Sequence, residues 1–263
     1  MPAEPVILAL DTASAQSAVA VVGAGFTIEQ SHVDARGHAE VLIPLVRAVI
    51  AEAGITRPEV VACGVGPGPY TGLRVGIATA RALALSWSVP VVGVCSLDAV
   101  AWAGQSWAIQ SDIAAGPFGV AMDARRREIY WATYDEFGQR TGGPGVCSPG
   151  ELPADAADLN WIGSAVAALP AQFRVLQPQP WGELGLRGIA GAIGRRMQHE
   201  LLTGNLLTGN LLMGNLPTDL APTGPLADHG TDSGATAQGI SGRVVLAAEP
   251  LYLRRPDAVA MHS

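Results

Sequence analysis

Val60-Val61-Ala62-Cys63-Gly64-Val65-Gly66-Pro67-Gly68-Pro69-Tyr70-Thr71-Gly72-Leu73-Arg74-Val75-Gly76 joins an apolar run to a Gly/Pro loop that opens into a helix. Strand, loop and helix N-terminus in that order can converge backbone N–H groups on an anion. The stretch carries a second signal. Gly72, Gly76, Ala80 and Ala84 recur every four residues, so one helix face is a strip of small side chains. Three readings follow: a phosphate cradle served by Arg74 and the helix N-terminus, a face for another protein, or close packing of the helix on its own sheet.

Working outward, residues 6–13 and 17–22 are apolar runs separated by a short polar turn. Residues 26–33 alternate, with Phe26, Ile28, Gln30 and His32 set against Thr27, Glu29 and Ser31, as an edge strand would. Residues 38–53 form a helix, with Val41, Leu42, Leu45, Val46, Val49 and Ile50 at helical spacing and Gly54 as the stop. A strand at 60–65, a helix at 71–87, a strand at 89–95 and a helix from about Leu97 complete the order βββαβαβα. That order is an antiparallel meander extended by parallel strands, an α/β fold.

The second half echoes the first. Residues 118–124 repeat the pattern of 7–12, an apolar strand ending in Asp, and a second strand follows at 128–134. Trp161-Ile162-Gly163-Ser164 repeats the later strand-to-glycine step. A short strand at 175–177 and a helix at 183–201 close the unit. Self-similarity at this spacing points to a duplicated α/β unit, not to a solenoid with a period of about 20–50 residues. The expected division is 1–104, 105–200, a low-complexity insertion at 201–242 built on Leu-Leu-Thr-Gly-Asn repeats, and a tail at 243–263.

Composition bounds the function. The 263 residues are 49% hydrophobic and 15% charged, enough for a sizeable core. No apolar stretch reaches the roughly 18 residues that span a bilayer. The first five residues lack the basic flank of a signal peptide. Cys63, Cys95 and Cys147 are scattered without metal-ligand spacing, which fits a reducing cytoplasm. A net charge of −7 argues against a free-standing nucleic-acid binder. All 16 basic residues are arginine, which removes Walker-type phosphate loops and lysine chemistry.

The polar candidates are weak. Asp11-Thr12-Ala13-Ser14 sits at a first β-turn that could wrap phosphate, but residues 11–17 contain no glycine, so a structural hairpin turn is favoured. His38 and Glu40 open the first helix, and no His-x-x-x-His spacing exists among the five histidines. Asp123 reads as a strand-end turn residue. Arg125-Arg126-Arg127 reads as a solvated hairpin tip, with contact to RNA or an acidic partner as the alternative. No catalytic, cofactor-binding or metal-ligating residue is expected.

Residues 7–12, His38-Ala39-Glu40, the 66–76 string and Pro250-Leu251-Tyr252-Leu253-Arg254-Arg255 together resemble the bacterial TsaB (YeaZ) family. The resemblance is strong over about residues 5–135 and returns at the tail. It implies a duplicated actin/Hsp70-like, RNase H-like fold. It also implies an accessory role in making the threonylcarbamoyladenosine beside tRNA anticodons, on a catalytic paralogue, TsaD. By that alignment the paralogue's metal-binding histidines fall on Ser96 and Val100, neither of which can hold a metal. Pairing with TsaD through the first two helices is implied, as are a TsaE-type ATPase partner, a homodimer when alone, and tRNA contact only within the complex. The expected interface residues are Val41, Leu45, Tyr70, Gly72, Leu73, Gly76, Ala80 and Ala84. The alternative is an ATP-dependent phosphotransferase of the same fold, using Asp11, Asp123 and the glycine-rich loop.

Overall fold

A computed structural model describes residues 4–34, 37–110, 116–176, 189–202, 245–246 and 248–253. Strands β1 (Ile7–Asp11), β2 (Gln16–Gly23) and β3 (Phe26–Val33) form the antiparallel meander. Strands β4 (Val60–Gly64) and β5 (Val91–Val94) extend it in parallel from β1. A short β11 (Val245–Leu246) pairs antiparallel with β5, giving the order β11-β5-β4-β1-β2-β3.

Helices cover both faces of this sheet, which is why β1, β2 and β4 read as unbroken apolar runs. Leu8, Leu10, Val19, Val21 and Val61 face α1 (His38–Ala53) and α2 (Tyr70–Trp87). Ile7, Ala9, Ala18, Ala20 and Ala62 face α3 (Ser96–Gln110) and α4 (Ile189–Leu202). The alternation in edge strand β3 serves the same two layers. Ile28 packs on the α1 side and Gln30 Nε2 donates to Glu52 Oε2 at 3.1 Å. On the other side Glu29 Oε2 accepts from Gly191 N at 2.9 Å and Thr27 Oγ1 from Arg195 at 2.9 Å.

The second sheet uses β6 (Phe118–Asp123), β7 (Ile129–Tyr134), β8 (Arg140–Cys147), β9 (Asn160–Ile162) and β10 (Arg174–Val175), in the order β10-β9-β6-β7-β8. Renumbered within its own half, that order is the one of β1 to β5. The duplication is therefore topological. The helices between strands are not repeated: 3₁₀ turns at Pro149–Glu151 and Ala154–Asp158 link β8 to β9, and Val166–Ala168 links β9 to β10. Strand β8 went unread because Gly142, Gly143, Pro144 and Gly145 give it no apolar alternation. The glycine at 145 is required by the Trp131 indole on β7, whose Nε1 lies 2.6 Å from where a Cβ would stand.

One core joins the halves. Val120, Met122, Tyr130, Ala132 and Tyr134 of the second sheet pack with α3, α4 and the first sheet. The division expected at 104 falls within α3. Of the closing helix expected at 183–201, residues 183–188 lie outside the described residues, as does the insertion from 203 through 242. Cys63 and Cys95 are buried, and burial pushes both thiols up to about 12. No helix among the described residues is long and apolar enough to cross a membrane.

Candidate functional site

The loop between β4 and α2 is built on the end of β1. Gly66 has φ of +98°, a conformation glycine adopts at little cost, and its carbonyl accepts from Ser96 N at 2.7 Å. A Cβ on Gly68 would stand 2.5 Å from Ala13 O, and one on Gly72 2.5 Å from Thr12 O. A Cβ on Gly76 would collide with Thr12 Oγ1. That hydroxyl donates to Gly72 O at 2.7 Å. The glycine half of the small-residue strip, Gly72 and Gly76, thus receives the β1–β2 turn of the same chain, while Ala80 and Ala84 are buried in the core.

Of the expected interface residues, Gly72, Leu73, Gly76, Ala80 and Ala84 are buried, while Val41, Leu45 and Tyr70 are half-buried. The exposed residues of α2 are Thr71, Arg74, Ala78, Arg81, Ala82, Leu85 and Ser86. Leu85 is 82% exposed, and Ile43 on neighbouring α1 is 38% exposed. Helices α1 and α2 pack side by side on one face of the sheet, so these residues share one outward surface.

Asp11 points inward. Its Oδ1 accepts from Ala13 N at 2.9 Å and its Oδ2 from Ser96 Oγ at 2.8 Å, with 1% of the residue exposed. Asp123 repeats the first of these bonds, its Oδ1 accepting from Arg125 N at 2.8 Å, but it is exposed. His38 is buried, its Nδ1 within 2.7 Å of Ser17 Oγ, and burial lowers its pKa despite the nearby Asp34. Glu40 faces solvent. Ser96 and Val100 are both in the core. Among the described residues no group of three or more His, Cys, Asp or Glu converges as metal ligands would.

Burial raises the Asp11 carboxyl above its ordinary value, and the bonds from Ala13 and Ser96 only partly offset this. The folded chain therefore binds this proton more tightly than the unfolded chain does. Stability drawn from Asp11 is lost as pH rises from the ordinary carboxyl range through the folded value. Asp11→Asn keeps the hydrogen-bonding shape and removes the charge. Its urea midpoint, compared with wild type at about pH 4 and about pH 8, should shift in favour of the variant at the higher pH. An equal difference at both would show that Asp11 does not titrate this way.

Two features escaped the sequence reading. The segment Pro250 to Leu253 lies along the loop: Leu251 N donates to Val65 O at 2.7 Å, and Tyr252 stacks on Tyr70 at 4.7 Å. The Arg74 guanidinium sits 3.9 Å from the Tyr70 ring centroid while its Nε donates to the Tyr252 hydroxyl at 3.1 Å. Arg74 thus serves a cation–π and hydrogen-bonded clamp, which draws it away from an anion at the helix start. The tail residues Arg254 and Arg255 lie outside the described residues. The second feature is a buried polar group between the halves. Tyr134 donates to Asp98 Oδ1 at 2.9 Å and Arg140 lies 3.6 Å from the same oxygen. A single Asp in an apolar helix and a single Arg after a polar turn carry no periodic signal. A cleft of about 400 Å³ between β7, β8 and Ala154–Asp158 is lined by Trp131, Thr133, Thr141 and Asp155, and holds none of the expected residues.

A family model described as TsaD, tRNA N6-adenosine threonylcarbamoyltransferase, matches residues 25–167. An uncharacterised protein of Mycobacterium tuberculosis is 44% identical over 184 residues, covering 67% of this chain and 82% of that relative. The Escherichia coli tRNA threonylcarbamoyladenosine biosynthesis protein TsaB is 35% identical over 136 residues. That match covers 50% of this chain and 57% of the relative. YeaZ from Pseudomonas aeruginosa superposes with a TM-score of 0.54 at 30% identity, covering 63% of this chain and 80% of that one.

Proposed function

Because the chain belongs to the TsaB/YeaZ branch of the family that the TsaD model describes, we propose that it is the accessory, non-catalytic subunit of the tRNA threonylcarbamoyladenosine modification complex. The observation that carries the non-catalytic reading is the closed end of β1. Asp11 is spent on Ser96 and Ala13, and Val100 is core, so the positions aligned with the paralogue's metal ligands are filled by packing and internal hydrogen bonds. The same closure disfavours a phosphotransferase, which needs a carboxylate facing its nucleotide.

The partner is a TsaD-type catalytic subunit, docked on α1 and α2. Val41, Leu45 and Tyr70 contribute surface directly. Gly72, Leu73, Gly76, Ala80 and Ala84 act from beneath, holding α2 close to the β1–β2 turn and so setting the shape of the face. Exposed Ile43 and Leu85 give that face apolar area of the kind interfaces bury. Alone, the chain pairs with a second copy through the same face. A TsaE-type ATPase joins the assembled pair, and tRNA is engaged only by the complex.

Ile43→Arg combined with Ala78→Arg tests the docking face, because both positions are exposed and neither supports the core. Co-purification with the cognate catalytic subunit should weaken by about tenfold or more, roughly 1.4 kcal/mol. The melting temperature should not move. Undiminished pairing would place the interface elsewhere. Modification of tRNA reconstituted with and without the wild-type chain checks the role itself: equal rates would refute it.

A further inference from the structure

The β6–β7 turn is strained and charged, and it belongs to the second sheet, not to the sheet that carries α1 and α2. Arg125, Arg126 and Arg127 follow one another with φ of 60°, 55° and 65°. All three lie on the side of backbone space that glycine, asparagine and aspartate tolerate and arginine does not favour. The turn is pinned from below by the Asp123–Ile129 pair of the ladder. Ala124 N donates to Glu128 O and Glu128 N to Arg125 O, both at 3.0 Å. Backbone strain held this firmly is an outlier from which a functional role can be argued.

What the three side chains offer is charge and donors. All three arginines are exposed. Guanidinium groups pair with phosphate oxygens through two parallel N–H bonds, which an ammonium group cannot do. A protein partner would be expected to bury apolar or aromatic area beside the charges. The exposed large apolar residues among those described are Phe26, Val33, Ile43, Leu85, Phe137 and Tyr252, and none belongs to this turn. A phosphodiester backbone asks for nothing more than positive charge and hydrogen-bond donors. The remaining chain is acidic, so contact here would position a nucleic acid and not capture it unaided.

We propose that the Arg125–Arg127 turn contacts the phosphodiester backbone of RNA when the chain is paired with its catalytic subunit. The proposal rests on the tRNA-modification role argued above and adds a contact surface on the half of the molecule away from α1 and α2. Arg126→Gly with Arg127→Gly removes two guanidiniums with a residue that suits a positive φ, so charge and geometry are separated.

The experiment measures tRNA binding by the chain–catalytic subunit complex across a salt series, for wild type and this variant. The variant should bind about tenfold more weakly at low salt, with a slope of log affinity against log salt smaller by about 1–2. Its melting temperature should rise by about 2 °C or more as strain is relieved. Unchanged affinity and slope, with pairing intact, would overturn the proposal. Loss of pairing in the variant would also overturn it, by assigning the arginines to a protein contact. Failure of the wild-type chain to pair would instead remove the functional reading beneath the proposal.

Discussion

Gly76→Leu is expected to lower the melting temperature by on the order of 10 °C, through the fold and before any partner is considered. The first atom of the new side chain already collides with Thr12 Oγ1, and that hydroxyl is held by its bond to Gly72 O at 2.7 Å. Helix α2 cannot rise away without opening a gap over Leu73, Ile77 and Ala80, all buried against the sheet. Overpacking of this kind costs about 1–3 kcal/mol and sometimes more, and losing the buried hydrogen bond adds about 1 kcal/mol. Thermal unfolding followed by circular dichroism is sufficient. Ala78→Leu, two residues on and exposed, is the control and should stay within about 0.5 kcal/mol of wild type. A Gly76→Leu melt matching the control would mean that the turn has room to yield. Lost pairing in Gly76→Leu alone would reflect a damaged scaffold, which is why the docking test uses exposed positions.

Asp98→Ala should be as damaging, for an electrostatic reason. Asp98 sits on α3, accepts from the Tyr134 hydroxyl and lies beside Arg140, with both charged side chains almost wholly out of water. Burial alone would weaken the hold of Arg140 on its proton, but Asp98, Cys95 and Tyr134 together carry it above its ordinary value, so it stays charged. Removing the carboxylate leaves that buried guanidinium without the anion 3.6 Å away, a change that costs about 3–5 kcal/mol. Adding Arg140→Leu to Asp98→Ala should recover at least about 1 kcal/mol, because the stranded charge goes with it. Urea unfolding of the two single variants and the double variant reads the coupling. Additive losses would show that the pair contributes nothing beyond its separate parts.

Legibility in the sequence followed how locally each feature is determined. Helix α1 is bounded as expected from His38 to Ala53, since the apolar spacing and Gly54 are all local. Strands β1 and β2 were plain because burial on both faces demands unbroken apolar residues. The four-residue strip on α2 announced a close approach, but not to what. The neighbour, Thr12, is 60 residues away and carries no matching pattern. Strand β8 was invisible because its glycines break any apolar alternation, and the one at 145 makes room for an indole on β7, a requirement written in the neighbouring strand. The Asp98–Arg140 pair could not be read at all, since each partner is a single charge in an ordinary setting.

The two sheets share a strand order, yet only the first carries an α-helix in each of its crossovers. Had both halves kept theirs, the face proposed for docking on α1 and α2 would occur twice on every molecule. A subunit with two such surfaces is bivalent, and repeated heterologous contacts that do not close build fibres. With 3₁₀ turns in place of the second set, the second half offers no counterpart to the face proposed for docking on α1 and α2. Under the docking proposed for α1 and α2, one copy fills that face, so the shape of one half limits pairing through it.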